Sequence, residues 1–157
     1  MLATTSTEEK AELARAAGAD EVVVGYEGFA ERVRALSGGE GAAVVYDGVG
    51  RATFAAGLTA LRPTGRMIVY GASSGQPEPL PVQQLAAHGS LYVQRPTLGT
   101  YARTPELLRH LAGAVLDLVA AGRLDVRIGG RYPLAEARRA HDDLEGRRTT
   151  GKLLLLP

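Results

Sequence analysis

Three short stretches of this chain carry residue types that could do chemistry. Thr4-Thr5-Ser6-Thr7 sets four hydroxyls in a row, with no carboxylate before Glu8 and with Lys10 one helical turn further on. Hydroxyls, a cation and a helix start together suit an anion such as a phosphate. Asp47-Gly48-Val49-Gly50 and Gly71-Ala72-Ser73-Ser74-Gly75 are rich in glycine. Glycine lets the main chain approach a ligand closely, and equally lets a chain simply turn. Tyr26 and Tyr70 each follow a strand-like run. A ring there could lie along a purine or merely close the strand. Asp47 could bond a ribose hydroxyl or orient Gly48, since Asp before Gly is also an ordinary turn.

Other chemistry finds little support. There is no Cys, so disulfides and thiolate metal sites within the chain are excluded. His88, His110 and His141 show no metal-ligand spacing. His88 and His110 read as surface or half-buried, and His141 as packed on the apolar side of its helix. No nucleophile–base pair stands out, and Glu8-Glu9 and Asp142-Asp143 read as solvated helix faces. The charges balance, 18 basic against 17 acidic, without a block of one sign. A nucleic-acid or membrane-surface role therefore has no electrostatic support. No apolar run approaches the roughly 20 residues of a membrane span. The first eight residues carry no signal-peptide pattern, so a cytoplasmic location is expected.

The 157 residues suit one domain, or one and a fraction. Strand-like and helix-like segments alternate along them. Leu2–Thr5 is a short apolar-to-hydroxyl strand. Ser6 with Glu9 has the spacing of a capping box, opening a helix through Lys10, Leu13 and Ala17 that stops at Gly18. Glu21–Val24 reads as a strand, and Phe29, Val33 and Leu36 form one helical face. Ala42–Tyr46 is a buried-type strand. Phe54, Leu58 and Leu61 give another helical face, ended by Pro63, before a strand over Met67–Tyr70. Ser90–Gln94 reads as a further strand. Beyond it, Thr104-Pro105-Glu106 is a helix start. Leu124–Tyr132 is extended, Pro133 opens a last helix through His141 and Leu144, and Lys152–Leu156 is a terminal strand.

Strands made of continuous apolar runs, alternating with helices, predict an α/β fold with a doubly wound parallel sheet. In such sheets ligands bind beyond the carboxyl ends of the strands, which is where all three loops lie. In a dinucleotide fold, a turn after the second strand sits at the adenosine ribose. An acid there suits the 2′-hydroxyl of NAD, and hydroxyls with a cation suit the 2′-phosphate of NADP. No G-x-G-x-x-G turn occurs, because the chain starts at what reads as the second strand.

These residues bring a resemblance into view. The chain resembles the C-terminal half of the NADPH-dependent quinone oxidoreductases, the zeta-crystallin-like branch of the medium-chain dehydrogenase/reductase superfamily. The strongest pieces are Ser6–Ala11 with Ala16–Asp20, Val45–Gly50, Tyr70–Gly75, Gly89–Leu98, and Arg131–Ala137 with Thr149–Leu153. The resemblance implies a Rossmann-like sheet lacking its first strand over residues 1–98. It implies the C-terminal part of a split catalytic domain over residues 99–157. It implies hydride transfer from NADPH to a quinone without a metal.

By the same resemblance, Ser6 and Lys10 hold the 2′-phosphate of NADPH, and Tyr26 lies along the adenosine end. Gly48 and Val49 meet the cofactor near its centre. Tyr70, Gly71, Ser73 and Ser74 border the nicotinamide half, and Arg147 reaches back to the phosphates. Family members pair as homodimers through the strand matching Leu91–Gln94. Gly25, Gly48 and Tyr70 stand where the family more often has Asn, Ser and Phe. The central first strand, its glycine-rich loop and the N-terminal catalytic domain have no counterpart in these residues. Strands on either side of that position are then expected to have unpaired inner edges. On this reading the chain is a fragment or one half of a split enzyme, binding NADPH weakly alone and turning over no quinone. Two alternatives stand beside it: an enoyl reductase-like domain, and a non-catalytic NADPH-binding or dimerisation module.

Overall fold

A computed structural model describes residues 1–146 and 148–157. The chain divides into two compact units, Met1–Tyr101 and Ala102–Pro157. In the first unit, strands β1 (Leu2–Thr5), β2 (Glu21–Val24), β3 (Ala42–Asp47), β4 (Leu61–Val69) and β5 (Tyr92–Gln94) alternate with helices. The helices are α1 (Glu8–Ala16), α2 (Phe29–Leu36), α3 (Phe54–Ala60), α4 (Gln83–Ala87) and α5 (Leu98–Tyr101). Every strand pairing is parallel. Among the described residues β1 pairs only with β2, and β3, β4 and β5 form a second sheet in that order. This is the expected Rossmann-like α/β arrangement, with its sheet in two pieces.

Small and apolar residues set the layers. Ala11 of α1 is fully buried against Ala19 and Val22, so α1 packs closely on β1 and β2. Phe29 and Ala30 at the start of α2 bury against Ala60. Phe54, Leu58, Leu61, Met67, Val69 and Leu91 form the largest cluster, beneath the second sheet. Gly41 permits that packing. Its φ is +95°, and a Cβ there would lie 2.7 Å from the Ala60 carbonyl oxygen, so only glycine lets β3 start this close to α3.

Several local expectations shift. The cap of α1 is Thr7, not Ser6: the Thr7 side chain accepts from the Lys10 N–H at 3.3 Å. In a run of four hydroxyl residues, helix phase chooses the cap, and it chooses the one next to Glu8. Leu61 is buried as its spacing from Phe54 and Leu58 suggests, but it is reached from a strand. α3 ends at Ala60, and β4 begins at Leu61, paired with Ala42. Residues 62–65, with Pro63, form an irregularity before Arg66 pairs with Val44. β5 begins at Tyr92, because Ser90 has φ +59° and Leu91 turns into the core.

The second unit holds α6 (Pro105–Ala120), β6 (Ile128–Pro133), a 3-10 turn (Leu134–Glu136), α7 (Ala137–Glu145) and β7 (Lys152–Leu156). Thr104 caps α6 as its sequence predicts, its side chain accepting from the Leu107 N–H at 3.3 Å. β6 and β7 pair in parallel. His141 is exposed rather than packed, because α7 buries Ala140 alone.

The Tyr132 hydroxyl donates to Asp143 at 3.0 Å, and Arg148 donates to the same carboxylate at 2.9 Å. Hydrogen bonding by Arg148, then by Tyr132, holds the Asp143 carboxyl below the usual carboxylate range. A depressed carboxylate stabilises the fold above its unfolded value of about 4, and that stability is lost as pH falls through the folded value. Desolvation, with the Asp143 bond, raises the Tyr132 phenol. Its share is present below pH about 10 and is lost above it. Thermal unfolding from pH 6 to pH 3 should therefore fall less steeply in Asp143→Asn than in the parent chain. Identical slopes would contradict this.

Candidate functional site

The site begins with Asp47 at the carboxyl end of β3. It is 4% exposed. Its Oδ1 accepts from the N–H groups of Val49 at 2.7 Å and Gly50 at 3.0 Å, and from the Thr53 hydroxyl at 2.9 Å. Asp47 thus folds the glycine turn back on itself and fixes the entry to α3. Its other oxygen, Oδ2, is buried with no hydrogen-bond partner. Thr53 belongs to this site although sequence reasoning passed over it. The signal was its position six residues after Asp47, one turn beyond the glycines.

The loop after β4 is laced to this turn through the main chain. The Asp47 carbonyl accepts from the N–H groups of Tyr70 at 2.9 Å and Gly71 at 3.2 Å. The Gly48 carbonyl accepts from Ser73 N–H at 3.2 Å, and the Val49 carbonyl from Ser74 N–H at 2.8 Å. The Ser74 hydroxyl donates to the Val49 carbonyl at 2.7 Å and accepts from Ala52 N–H at 3.0 Å. The Arg51 N–H closes the seam on the Gly75 carbonyl at 2.9 Å. Two loops remote in sequence therefore form one rigid surface, and Ser74 is one of its fasteners.

Glycine is required where these loops cross. A Cβ on Gly71 would lie 2.5 Å from the Gly48 carbonyl oxygen and 2.9 Å from its Cα. A Cβ on Gly48 would first meet the Tyr70 ring, from 2.8 Å, and Tyr70 is 60% exposed. Tyr70 can swing away, whereas the Gly48 backbone cannot. Gly71→Ala is therefore expected to cost about 1–3 kcal/mol in chemical denaturation, and Gly48→Ala under about 1 kcal/mol. Equal losses would show that the loops are not locked together.

The hydroxyl turn lies at the carboxyl end of β1. Lys10 Nζ donates to the Ser6 hydroxyl at 3.4 Å, so the two residues converge as a pair. The Thr5 hydroxyl donates to the Thr7 carbonyl at 3.2 Å. Glu8, the nearest acid, is drawn off by Arg15 at 2.9 Å. Tyr26 is half-buried after β2. Arg147 lies outside the described residues.

A cavity of about 1000 Å³ opens beside the first of these features. Gly48, Val49 and Tyr70 line one end of it, together with Asp47 and Thr53. Its body runs between β1 and β3. Ser6, Lys10, Tyr26, Gly71, Ser73 and Ser74 are not among its walls. The loops border an opening, and the hydroxyl pair forms a separate polar point in the same unit.

The relatives are informative at this point. A quinone oxidoreductase of Pseudomonas aeruginosa is 43% identical over 158 residues, covering all of this chain and 49% of that protein. A mycobacterial protein solved in complex with NADPH superposes with TM-score 0.93 at 46% identity, covering 99% of this chain and 49% of the other. The Escherichia coli quinone oxidoreductase complexed with NADPH also gives TM-score 0.93, at 39% identity, with 99% and 49% covered. The chain spans about half the length of the relatives it matches, and corresponds to their C-terminal half.

Residues 1–113 match the zinc-binding dehydrogenase family. That description invites a test for zinc. Among the described residues no three His, Cys, Asp or Glu side chains come together to hold a metal ion. With no cysteine in the chain, its donor set does not fit a zinc site, and no step is assigned to one. The match over residues 1–113, with the parallel sheet and its paired glycine loops, places the chain in the zinc-binding dehydrogenase family, beside its quinone oxidoreductase members.

Proposed function

We propose that this chain is the NADPH-holding part of a quinone reductase. Hydride would pass from NADPH to a quinone or a similar small electrophile, with no metal taking part. The observation that carries the reading is the locked pair of loops. Asp47, Gly48 and Val49 at the end of β3 are fastened to Tyr70–Gly75 at the end of β4, beside an open cavity. Ligands of parallel α/β sheets bind beyond those strand ends. NADPH supplies the hydride when bound. The chain's own part is to hold and orient it.

Each residue then has a stated task. The Ser6 hydroxyl and the Lys10 ammonium, already converging at 3.4 Å, hold the 2′-phosphate. Tyr26, half-buried after β2, flanks the adenosine. Gly48 and Val49 present backbone and a small apolar side chain to the middle of the cofactor. Tyr70, Gly71 and Ser73 border the nicotinamide half. Ser74 acts through the loop it fastens. Arg147 is assigned to the phosphates on the family resemblance. Residues 1–98 form the cofactor domain, and residues 99–157 belong to the catalytic domain.

Among the described residues the outer edge of β5 bears no strand, and the Tyr92 and Val93 side chains are exposed. Edge pairing there with a second copy gives the homodimer. Among the described residues no helix is long and apolar enough to cross a membrane, which fits a cytoplasmic reductase.

Amide chemical shifts test the cofactor reading directly. Added NADPH should move the resonances of Ser6, Lys10, Gly48, Val49, Gly71 and Ser73 together. Shifts confined to the second unit, or none at millimolar NADPH, would overturn it.

A further inference from the structure

Gly48 is a glycine without a backbone reason. Its φ lies outside the left-handed region, so the main chain there does not call for glycine. What keeps a side chain out is Tyr70. A Cβ on Gly48 would lie 2.8 Å from the Tyr70 hydroxyl oxygen, 2.9 Å from its Cζ and 3.1 Å from its Cε2. The phenol end of the ring therefore stands where a side chain at position 48 would stand. The root of that ring is fixed. The Tyr70 N–H donates to the Asp47 carbonyl at 2.9 Å, and Arg95 donates to the Val69 carbonyl at 2.9 Å. The ring itself is 60% exposed, and among the described residues its hydroxyl has no hydrogen-bond partner.

The small residue and the large ring thus form a matched pair. The family more often has Ser and Phe at these two positions, with one hydroxyl on the β3 turn and none on the β4 loop. Here the hydroxyl comes from the β4 loop, and its oxygen reaches back to the β3 turn. A hydroxyl on a side chain at 48 would sit one bond beyond the Cβ, in the space the phenol oxygen fills.

We propose that the Tyr70 hydroxyl is the side-chain donor of the β3 turn, bonding a ribose or phosphate oxygen on the nicotinamide half of the cofactor. Gly48 and Tyr70 line the same end of the cavity, beyond the carboxyl ends of β3 and β4, where ligands of such sheets bind. A phenol donates one hydrogen bond, and ribose and phosphate oxygens accept it. A ring that merely covered the turn would need no hydroxyl. The inference rests on the NADPH reading and adds to it a contact that holds the nicotinamide half, independent of the 2′-phosphate.

The test uses the full chain, titrated with NADPH, NADH and adenosine 2′,5′-bisphosphate, which lacks the nicotinamide half. Tyr70→Phe should weaken NADPH and NADH alike by about fivefold, the worth of one neutral hydrogen bond. It should leave the bisphosphate and the urea midpoint unchanged, because the hydroxyl has no partner among the described residues. Gly48→Ala pushes the ring aside, so it should show the same loss for NADPH. Combining Gly48→Ala with Tyr70→Phe should lose no more than either alone, since one hydroxyl cannot be lost twice. Combining Gly48→Ser with Tyr70→Phe returns a hydroxyl to the same place from the other loop, and should bring NADPH back to within about twofold of the parent. Unchanged NADPH binding in Tyr70→Phe would overturn the inference and leave the cofactor reading standing. So would equal weakening of the bisphosphate, additive losses, or no recovery with Gly48→Ser. A parent chain that bound no NADPH would overturn both.

Discussion

Asp47→Ala is expected to remove about 3 kcal/mol of stability and to abolish NADPH binding together. The Asp47 carboxylate satisfies two backbone N–H groups and the Thr53 hydroxyl from a position 4% exposed. Each buried donor left without a partner costs about 1–3 kcal/mol. Domains of this kind have only about 5–15 kcal/mol in total. Asp47→Asn keeps one oxygen acceptor in place for the three donors, and puts an amide where the other oxygen has no partner. It should lose about 1 kcal/mol or less. Urea unfolding of the two variants, read at constant slope, checks the pair. Equal midpoints for Asp47→Ala and the parent would show that the turn folds without its carboxylate.

Lys10→Glu is expected to weaken NADPH binding by about 10- to 150-fold while leaving NADH within about threefold. A hydrogen bond to a charged group contributes about 1.5–3 kcal/mol, which converts to that range. The reversed charge also repels the phosphate. Ser6→Ala removes a neutral donor worth about 1 kcal/mol, so about a fivefold loss is expected. The contrast between nucleotides is what makes the result specific. Both carry the pyrophosphate and the nicotinamide, and only one carries the 2′-phosphate. If Lys10→Glu weakened both alike, Lys10 would act on the helix or on the field of the whole unit instead.

Much of the fold was legible because its signals are local. Short β-branched runs gave β2 and β3, and Thr104 with Pro105 gave the start of α6 in the residue expected. The glycine loops were legible as loops because only glycine tolerates such a close crossing as Gly71 over Gly48. What failed depends on neighbours far along the chain. Thr7 rather than Ser6 caps α1 because helix phase, not hydroxyl chemistry, decides among equal candidates. Leu61 fits the apolar spacing of a helix yet sits in β4, because Ala42 pairs with it. His141 lies on a face that its sequence makes look buried, but α7 covers only Ala140.

The candidate site divides the same way. The pairing of Ser6 with Lys10 follows from four-residue helical spacing. The fastening of Val49 to Ser74 joins residues 25 apart, and no pattern in either loop announces the other. Asp47 was legible as a turn residue or a ribose ligand. The structure gives its Oδ1 to the turn, an outcome that Thr53 completes from six residues away. The cavity beside it is a property of two strand edges and is written in neither strand alone.

The central claim is that Ser6 and Lys10 make this chain a holder of NADPH rather than NADH. One measurement tests it most directly: parallel titrations of the purified chain with the two nucleotides, followed by nicotinamide fluorescence. The account predicts that NADPH binds at least tenfold more tightly, and that the difference shrinks as salt screens the Lys10 charge. NADH binding as tightly as NADPH, at low salt and with the chain folded, would contradict it.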